Sequence, residues 1–212
     1  MPINLAIFDL DGTLVDSLPW FRRHVNDVAD RFGFRRVSED DVETLRRMGP
    51  RETLAHLGVS NWKIPMIARH MRQLKTAHMR DIPLFPGVDA MLRSLADGGV
   101  RLALVSSDSE ANARRGLRET NAALFSDFAC GASLFGKAAK FRRVLKRAGA
   151  EPADAIAIGD EVRDIEAARA AGVAFAAVTW GYAAPETLSA LRPDMVFERM
   201  EDIAPRLLQS RA

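Results

Sequence analysis

The sequence predicts an α/β fold: a Rossmann-like parallel sheet with helices on both faces, plus a small α-helical domain inserted after the first strand. Three features carry that expectation. Short apolar runs, Leu5 to Phe8, Leu102 to Val105 and Ala155 to Ile158, have strand length, and each ends abruptly in polar residues. Beyond residue 83 such runs alternate with stretches of helical periodicity, the pattern of βα units. Between Asp16 and Arg80 there is no strand-like alternation at all. The expected division is a core of residues 1–15 and 83–212 and a helical cap of residues 16–82.

The first strand, Leu5 to Phe8, runs into Asp9-Leu10-Asp11-Gly12-Thr13. After Pro19 a helix is expected from Trp20 to about Phe32, where Phe21, Val25, Val28, Ala29 and Phe32 recur at helical spacing. Ser38, followed by Glu39, Asp40 and Asp41, reads as the N-cap and acidic first turn of a helix that reaches Met48 and stops at Gly49-Pro50. Helices over 51–57 and 64–79 complete the insert, and the Pro- and Gly-containing stretch from Asp81 to Val88 returns the chain to the core. There follow a helix over 88–97 closed by Gly98-Gly99, a strand over 101–105 and a helix over 109–120. A short strand or loop over 125–130, a helix over 137–148, a strand over 155–158 and a helix over 163–171 come next, with further strands at 173–178 and 195–197.

Composition narrows the function classes. Of 212 residues, 48% are hydrophobic and 27% charged, as in ordinary globular proteins. The formal charge of +2 comes from arginines interleaved with acids, with no basic block of the kind a nucleic-acid-binding face uses. Cys130 is the single cysteine, which excludes an internal disulfide and a cysteine zinc cluster. The chain starts on a strand with no signal-peptide pattern, and no apolar stretch reaches membrane-spanning length. A reducing, cytoplasmic setting is the expectation.

The chemistry lies at the strand ends. Alternation along a strand lets Asp9 and Asp11 face one site, and Gly12 supplies a turn few other residues make. Two such acids are costly to hold together unless a cation or proton is shared. Leu102 to Val105 ends in Ser106-Ser107-Asp108, Ala155 to Ile158 ends in Gly159-Asp160-Glu161-Val162-Arg163-Asp164, and Lys137 follows Phe135-Gly136 at a helix start. In a parallel sheet, Asp9, Ser106 and Asp160 share one edge, where open α/β sheets bind ligands. Carboxylates there suit a hard divalent cation such as Mg²⁺, and a hydroxyl, backbone N–H groups and a lysine suit phosphate oxygens. Each feature has an ordinary explanation: a polar turn for the Asp-Leu-Asp-Gly-Thr run, a helix cap for Ser106, a solvated lysine for Lys137, a stabilised helix start for Asp164. Their joint order points instead to phosphoryl chemistry.

Phe8-Asp9-Leu10-Asp11-Gly12-Thr13-Leu14-Val15-Asp16-Ser17 resembles the first motif of the haloacid dehalogenase (HAD) superfamily. Ser106 matches the second motif, Lys137 the third, and Gly159-Asp160 through Asp164 the fourth. The resemblance covers nearly the whole chain and is to the phosphatase branch with a small helical cap, of the type in phosphoglycolate phosphatases and β-phosphoglucomutases. It implies that Asp9 attacks phosphorus to form an aspartyl-phosphate, and that Asp11 protonates the leaving oxygen and then activates water. It implies Mg²⁺ held by Asp9, the Asp11 backbone carbonyl and Asp160, phosphoryl oxygens held by Ser106 or Ser107 and by Lys137, and Asp164 orienting Lys137 or supporting the metal. The expected partner is a small phosphorylated metabolite, phosphoglycolate-like or a sugar phosphate.

Some positions depart from the family pattern or compete with it. Ser107 and Asp108 stand where the family often has Asn shortly after the second-motif hydroxyl, Lys140 competes with Lys137, and Glu161 is either a loop residue or a modifier of the metal site. Family dehalogenases lack the acid that is Asp11 here, and neither Lys63 nor Lys75 stands in a context expected to depress a lysine pKa for Schiff-base chemistry. A β-phosphoglucomutase-like phosphotransferase and a non-catalytic phosphate-binding module are the alternatives. In the cap, Arg46, Arg47 and Arg51 flank Gly49-Pro50 and are candidates for reading the substrate's leaving group, with His24 a further cleft candidate.

Overall fold

A computed structural model describes residues 3–131 and 136–209. Phe135, next to Gly136 in the sequence, lies outside them. The chain begins with β1 (Leu5–Phe8) and continues through four helices, α1 (Leu18–Phe32), α2 (Asp41–Arg46), α3 (Pro50–His56) and α4 (Ile64–His78). It then runs α5 (Val88–Asp97), β2 (Arg101–Val105), α6 (Glu110–Ala122), β3 (Phe125–Ala129) and α7 (Lys137–Ala148). β4 (Ala155–Gly159), α8 (Val162–Ala170), β5 (Ala174–Val178), α9 (Pro185–Ala190), β6 (Met195–Phe197) and α10 (Ile203–Gln209) complete it.

The strands form one six-stranded sheet in the order β3-β2-β1-β4-β5-β6, and every neighbouring pair is parallel. This is the α/β architecture that the sequence predicts. Alternation along β1 sends Leu5 and Ile7 into one apolar layer with Phe141 and Val144 of α7 and Phe175 of β5. Ala6 and Phe8 enter the opposite layer, with Leu92 of α5 and Leu207 of α10. Both faces are therefore covered, which is why the strands read as continuous apolar runs rather than as alternating ones.

The register positions the site. Phe8 stands opposite Leu104 of β2 on one side and Ile158 of β4 on the other. The residues that leave these strands, Asp9, Ser106 and Asp160, consequently come out along one edge of the sheet. Strands are added outward in opposite directions from β1 and β4, β2 and β3 to one side and β5 and β6 to the other, and the crevice between β1 and β4 is where such folds take ligands.

Helices α1 to α4 follow one another without an intervening strand, and the chain leaves and re-enters the sheet region through paired segments. Val15 and Leu84 form an antiparallel bridge, the Asp16 N–H donates to the Pro83 carbonyl at 2.9 Å, and the Phe85 N–H donates to the Leu14 carbonyl at 3.0 Å. Two elements differ from the expected limits for local reasons. α2 starts at Asp41 rather than Glu39 because Ser38 and Asp41 close a turn first: the Ser38 N–H donates to Asp41 Oδ2 at 2.9 Å, and the Asp41 N–H donates to Ser38 Oγ at 3.3 Å. α6 extends to Ala122 through a kink at Arg118, whose φ of 64° is left-handed. α9 and α10 are short helices that the periodicity did not single out. No helix among the described residues is long and apolar enough to cross a membrane.

Candidate active site

Asp9 leaves β1 directly. Its Oδ1 accepts a hydrogen bond from Lys137 Nζ at 2.7 Å, and Lys137 also donates to Asp164 Oδ1 at 2.5 Å. All three side chains are buried. The second oxygen of Asp9, Oδ2, is buried and accepts no hydrogen bond. Lys137 stands at the first position of α7 and Asp164 in the first turn of α8, so two adjacent helices deliver the ion-pair partners to the strand end. Burial alone would push the Lys137 ammonium down; the charges of Asp164 and Asp9 outweigh it and hold the pKa above the usual lysine value.

Asp160 follows β4 and is fully buried. Its Oδ1 accepts from the Thr13 hydroxyl at 2.7 Å, and its Oδ2 accepts from the Tyr182 N–H at 2.8 Å. Two glycines make room for this carboxylate. A Cβ on Gly12 would lie 2.2 Å from Asp160 Oδ2, and one on Gly181 would lie 2.2 Å from Asp160 Cβ. Gly12 also has a φ of 77°, which side chains rarely adopt, so the Asp-Gly-Thr turn needs glycine on both counts.

One carboxylate oxygen from each of Asp9, Asp160 and Asp164 lies within 4.8 Å of the others. Burial raises the Asp9 carboxyl to about 6, against the lowering pull of Lys137. Burial, together with Glu161, Asp9 and Asp164, raises Asp160 well above the usual carboxylate range. Crowded buried acids, one of them with an unsatisfied oxygen, are the donor set of a hard divalent cation. The residues present therefore fit Mg²⁺.

Asp11 points away from this trio. Its carboxylate accepts from Lys75 Nζ at 2.5 Å, and Lys75 also donates to Asp108 Oδ2 at 2.8 Å. Burial pushes Asp11 up, but Lys75 and a hydrogen bond from Ser17 prevail and its pKa is lowered. Burial likewise pulls Lys75 down, while Asp11 and Asp108 raise it past its ordinary value. Lys75 is thus held as an ammonium, the opposite of what a Schiff-base lysine requires. Lys63 lies elsewhere and donates to the Phe32 carbonyl at 2.6 Å.

Ser106 is buried, and its Oγ accepts from the Asp108 N–H at 3.0 Å, which leaves its own proton free to donate. Ser107 lines the cleft between the sheet edge and α1 to α4. Of the two candidate lysines, Lys137 reaches Asp9. Lys140 donates to the carbonyls of Ser106 at 2.5 Å and Gly131 at 2.6 Å, bracing the loops after β2 and β3. Glu161 lines the cleft and accepts from Arg163 Nη2 at 2.6 Å.

The three arginines around Gly49-Pro50 divide. Arg46 Nε donates to the Tyr182 carbonyl at 3.2 Å and Nη2 to that of Gly181 at 3.4 Å, while the Arg46 carbonyl accepts from the Ala184 N–H at 2.8 Å. Arg51 lines the cleft; Arg47 is exposed and is not among its lining residues. His24 stacks on Trp20, with ring centroids 4.8 Å apart, instead of lining the cleft.

Sequence reasoning missed Lys75 as a site residue, along with Thr13 and Tyr182 as the partners of Asp160. Lys75 did leave a trace: it occupies the stripe of α4 that Ile64, Ala68 and Met71 form at helical spacing, where an apolar residue is expected.

Comparison with known proteins agrees with this geometry. The model of the haloacid dehalogenase-like hydrolase family matches residues 6–178. A phosphoglycolate phosphatase of Synechococcus elongatus is 36% identical over 213 residues, covering 98% of each chain. Phosphoglycolate phosphatase 1 of Pseudomonas aeruginosa is 29% identical over 95% of this chain and 79% of its own. The solved haloacid dehalogenase-like hydrolase from Streptococcus pneumoniae superposes with a TM-score of 0.79 at 25% identity, over 96% of this chain and 98% of the other. Match and site together show that the chain belongs to the haloacid dehalogenase-like hydrolase family, as a phosphoglycolate phosphatase-like enzyme acting on phosphate esters.

Proposed function

We propose that the protein is a Mg²⁺-dependent phosphatase that hydrolyses a small phosphate monoester, phosphoglycolate-like or a sugar phosphate, through an aspartyl-phosphate on Asp9. The observation that carries this reading is the buried group of Asp9, Asp160, Asp164 and Lys137 at the ends of β1 and β4. Asp9 attacks phosphorus and the ester oxygen leaves, taking its proton from Asp11. With the ester cleaved, Asp11 is ionised and removes a proton from the water that attacks the aspartyl-phosphate, which regenerates Asp9 and releases inorganic phosphate. Lys137, the Ser106 hydroxyl and Ser107 hold the phosphoryl oxygens as charge builds on them. Asp9, Asp160 and the Asp11 carbonyl would hold Mg²⁺, which would supply charge neutralisation for the approach of one anion to another. Asp164 orients Lys137, to which it is bonded.

Residues 16–82 form the cap in this reading, and residues 1–15 and 83–212 the core. The pairing of Val15 with Leu84 supports that division, because both crossings of the chain lie side by side and form a two-stranded hinge. The arrangement with Lys75 on Asp11 suits the second step, in which Asp11 acts as a base. In the first step Asp11 carries a proton, so Lys75 has to withdraw as the ester enters. A cytoplasmic setting belongs to the same reading, supported by a chain that carries a single cysteine, Cys130.

The experiment is release of inorganic phosphate from a panel of small esters, with Mg²⁺ and with EDTA. Metal-dependent release concentrated on one ester is the expected result. A folded protein that releases no phosphate but interconverts sugar phosphates would be a mutase, and one that only binds phosphate would be a non-catalytic module.

A further inference from the structure

Of helices α1 to α4, only α1 buries apolar residues, Trp20, Val25, Val28 and Ala29. α2 and α3 bury no residue, and α4 buries only Lys75. Their apolar side chains instead surround a cavity of about 1080 Å³. Leu45, Leu54, Ile64, Ile67 and Met71 line its upper part and are only half-buried. At its floor the same cavity reaches Asp11, Lys75, Ser107, Asp108 and Arg163. A charged floor and a mainly apolar vault, whose lining also includes Arg22, Arg51, Thr53, Asn61 and Arg72, are thus one continuous space.

The vault discriminates among leaving groups. Protein interiors are close-packed, and an apolar hollow without an occupant forfeits the dispersion contacts its walls would make. Ligand pockets commonly measure roughly 300–1,000 Å³, so this one is large even for a drug-sized molecule. A short ester such as phosphoglycolate engages only the charged floor. Sugar hydroxyls held against the wall of Leu45, Leu54, Ile64, Ile67 and Met71 would find no partners there, which disfavours a polar alcohol along that wall.

Resting on the phosphatase reading above, and narrowing its leaving group away from sugars, we infer that the site prefers amphipathic phosphate monoesters, whose apolar body, an aliphatic chain or aromatic ring, enters between α2, α3 and α4 while the phosphate sits at Asp9. The charged floor fixes the phosphate and the vault sets the preference among alcohols.

Two measurements test this. Phosphate release with Mg²⁺ is followed for phosphoglycolate and for methyl, butyl, hexyl and 1-naphthyl phosphate. Binding of methylphosphonate and hexylphosphonate is measured in parallel by calorimetry, so that the vault is probed without turnover. Each fully buried methylene is worth about threefold to fourfold in affinity. Hexyl phosphate is therefore expected to exceed methyl phosphate at least tenfold in kcat/KM, and hexylphosphonate to bind at least tenfold tighter than methylphosphonate. Ala68→Phe, which fills the vault, and Ile67→Asn, which makes its wall polar, should both flatten these dependences, read as the hexyl-to-methyl ratio of kcat/KM and as the hexylphosphonate-to-methylphosphonate ratio of affinity. Active enzyme with no chain-length dependence overturns the inference and spares the phosphatase reading, as does a dependence that survives in both variants. Tight hexylphosphonate binding with no turnover of any ester does the reverse, sparing the vault and removing the phosphatase reading. Loss of both overturns both.

Discussion

Lys75 and Asp11, 64 residues apart, meet at 2.5 Å across the cleft, and the same ammonium reaches Asp108 at 2.8 Å. One side chain of α4 thereby ties the helical segment to the loops after β1 and β2. Both contacts are largely shielded from solvent, so the attraction is screened much less than in a surface ion pair.

Replacing Lys75 with Met should therefore change both activity and stability. Without the ammonium Asp11 loses the charge that lowers its pKa, and the limb of the pH–kcat/KM profile set by loss of the Asp11 proton, the alkaline limb, should move to higher pH. We expect kcat/KM to fall about tenfold to a hundredfold, which is about 1.4–3 kcal/mol in the transition state. Lys75→Arg keeps the charge and should recover part of the loss. Unfolding temperature should fall more at pH 7.5 than at pH 5, because burial, no longer opposed by Lys75, favours the protonated form of Asp11 at the lower pH. An unchanged pH profile in the Met variant would separate Lys75 from Asp11 function.

Asp9→Asn tests the nucleophile directly. The amide keeps the shape of the carboxylate, and Lys137 retains Asp164 as its partner at 2.5 Å, so the fold should stand. Phosphate release should fall at least about a thousandfold, to the level of the assay blank, with the unfolding temperature in EDTA within a few degrees of the parent. Hydrolysis at near-parental rate would remove Asp9 from the nucleophile's role.

What was legible in the sequence was whatever a strand end displays locally. Acids two residues apart after Phe8, and another after Ile158, cannot be hidden by any packing of a parallel sheet, so Asp9 and Asp160 stood out before their neighbours were known. Choosing Lys137 over Lys140 needed only the helix start, and the structure sends the first to Asp9 and the second to backbone carbonyls. Lys75, Thr13 and Tyr182 were not legible as site residues because their roles depend on contacts over long sequence separations. Thr13 and Asp160 are 147 residues apart, and only the adjacency of β1 and β4 joins them. The apolar stripe of α4 was equally visible, but periodicity does not tell a side chain that faces a core from one that faces a cavity.

Gly12→Ala should damage the metal site through sterics alone. The added Cβ falls 2.2 Å from Asp160 Oδ2, at a φ of 77°. Backbone strain and overlap together should cost about 2–4 kcal/mol of stability. Because Asp160 is the group displaced, the Mg²⁺ concentration for half-maximal activity should rise by about tenfold or more, read from a titration at saturating ester. A stability loss with unchanged Mg²⁺ dependence would mean that Asp160 does not hold the metal.

The acid cluster also sets a pH signature of the metal-free protein. Burial raises Asp9 from 3.8 to about 6, and Asp160 shifts in the same direction, with Glu161 and the other acids adding to its burial. A carboxyl raised in the folded state binds a proton that the unfolded chain has already released, so stability is greatest below the unfolded value and is lost as pH climbs from about 4 to 6. For Asp9 alone the loss is up to about 3 kcal/mol. In EDTA, the unfolding temperature should therefore be several degrees higher at pH 5 than at pH 7.5. Mg²⁺ held as proposed would bind the ionised carboxylates in competition with protons, so its stabilisation should run the other way, small at pH 5 and large at pH 7.5. Asp160→Asn removes one of the crowded charges and should flatten both slopes. A Mg²⁺ response of equal size at the two pH values would set the acid cluster aside as the metal's site.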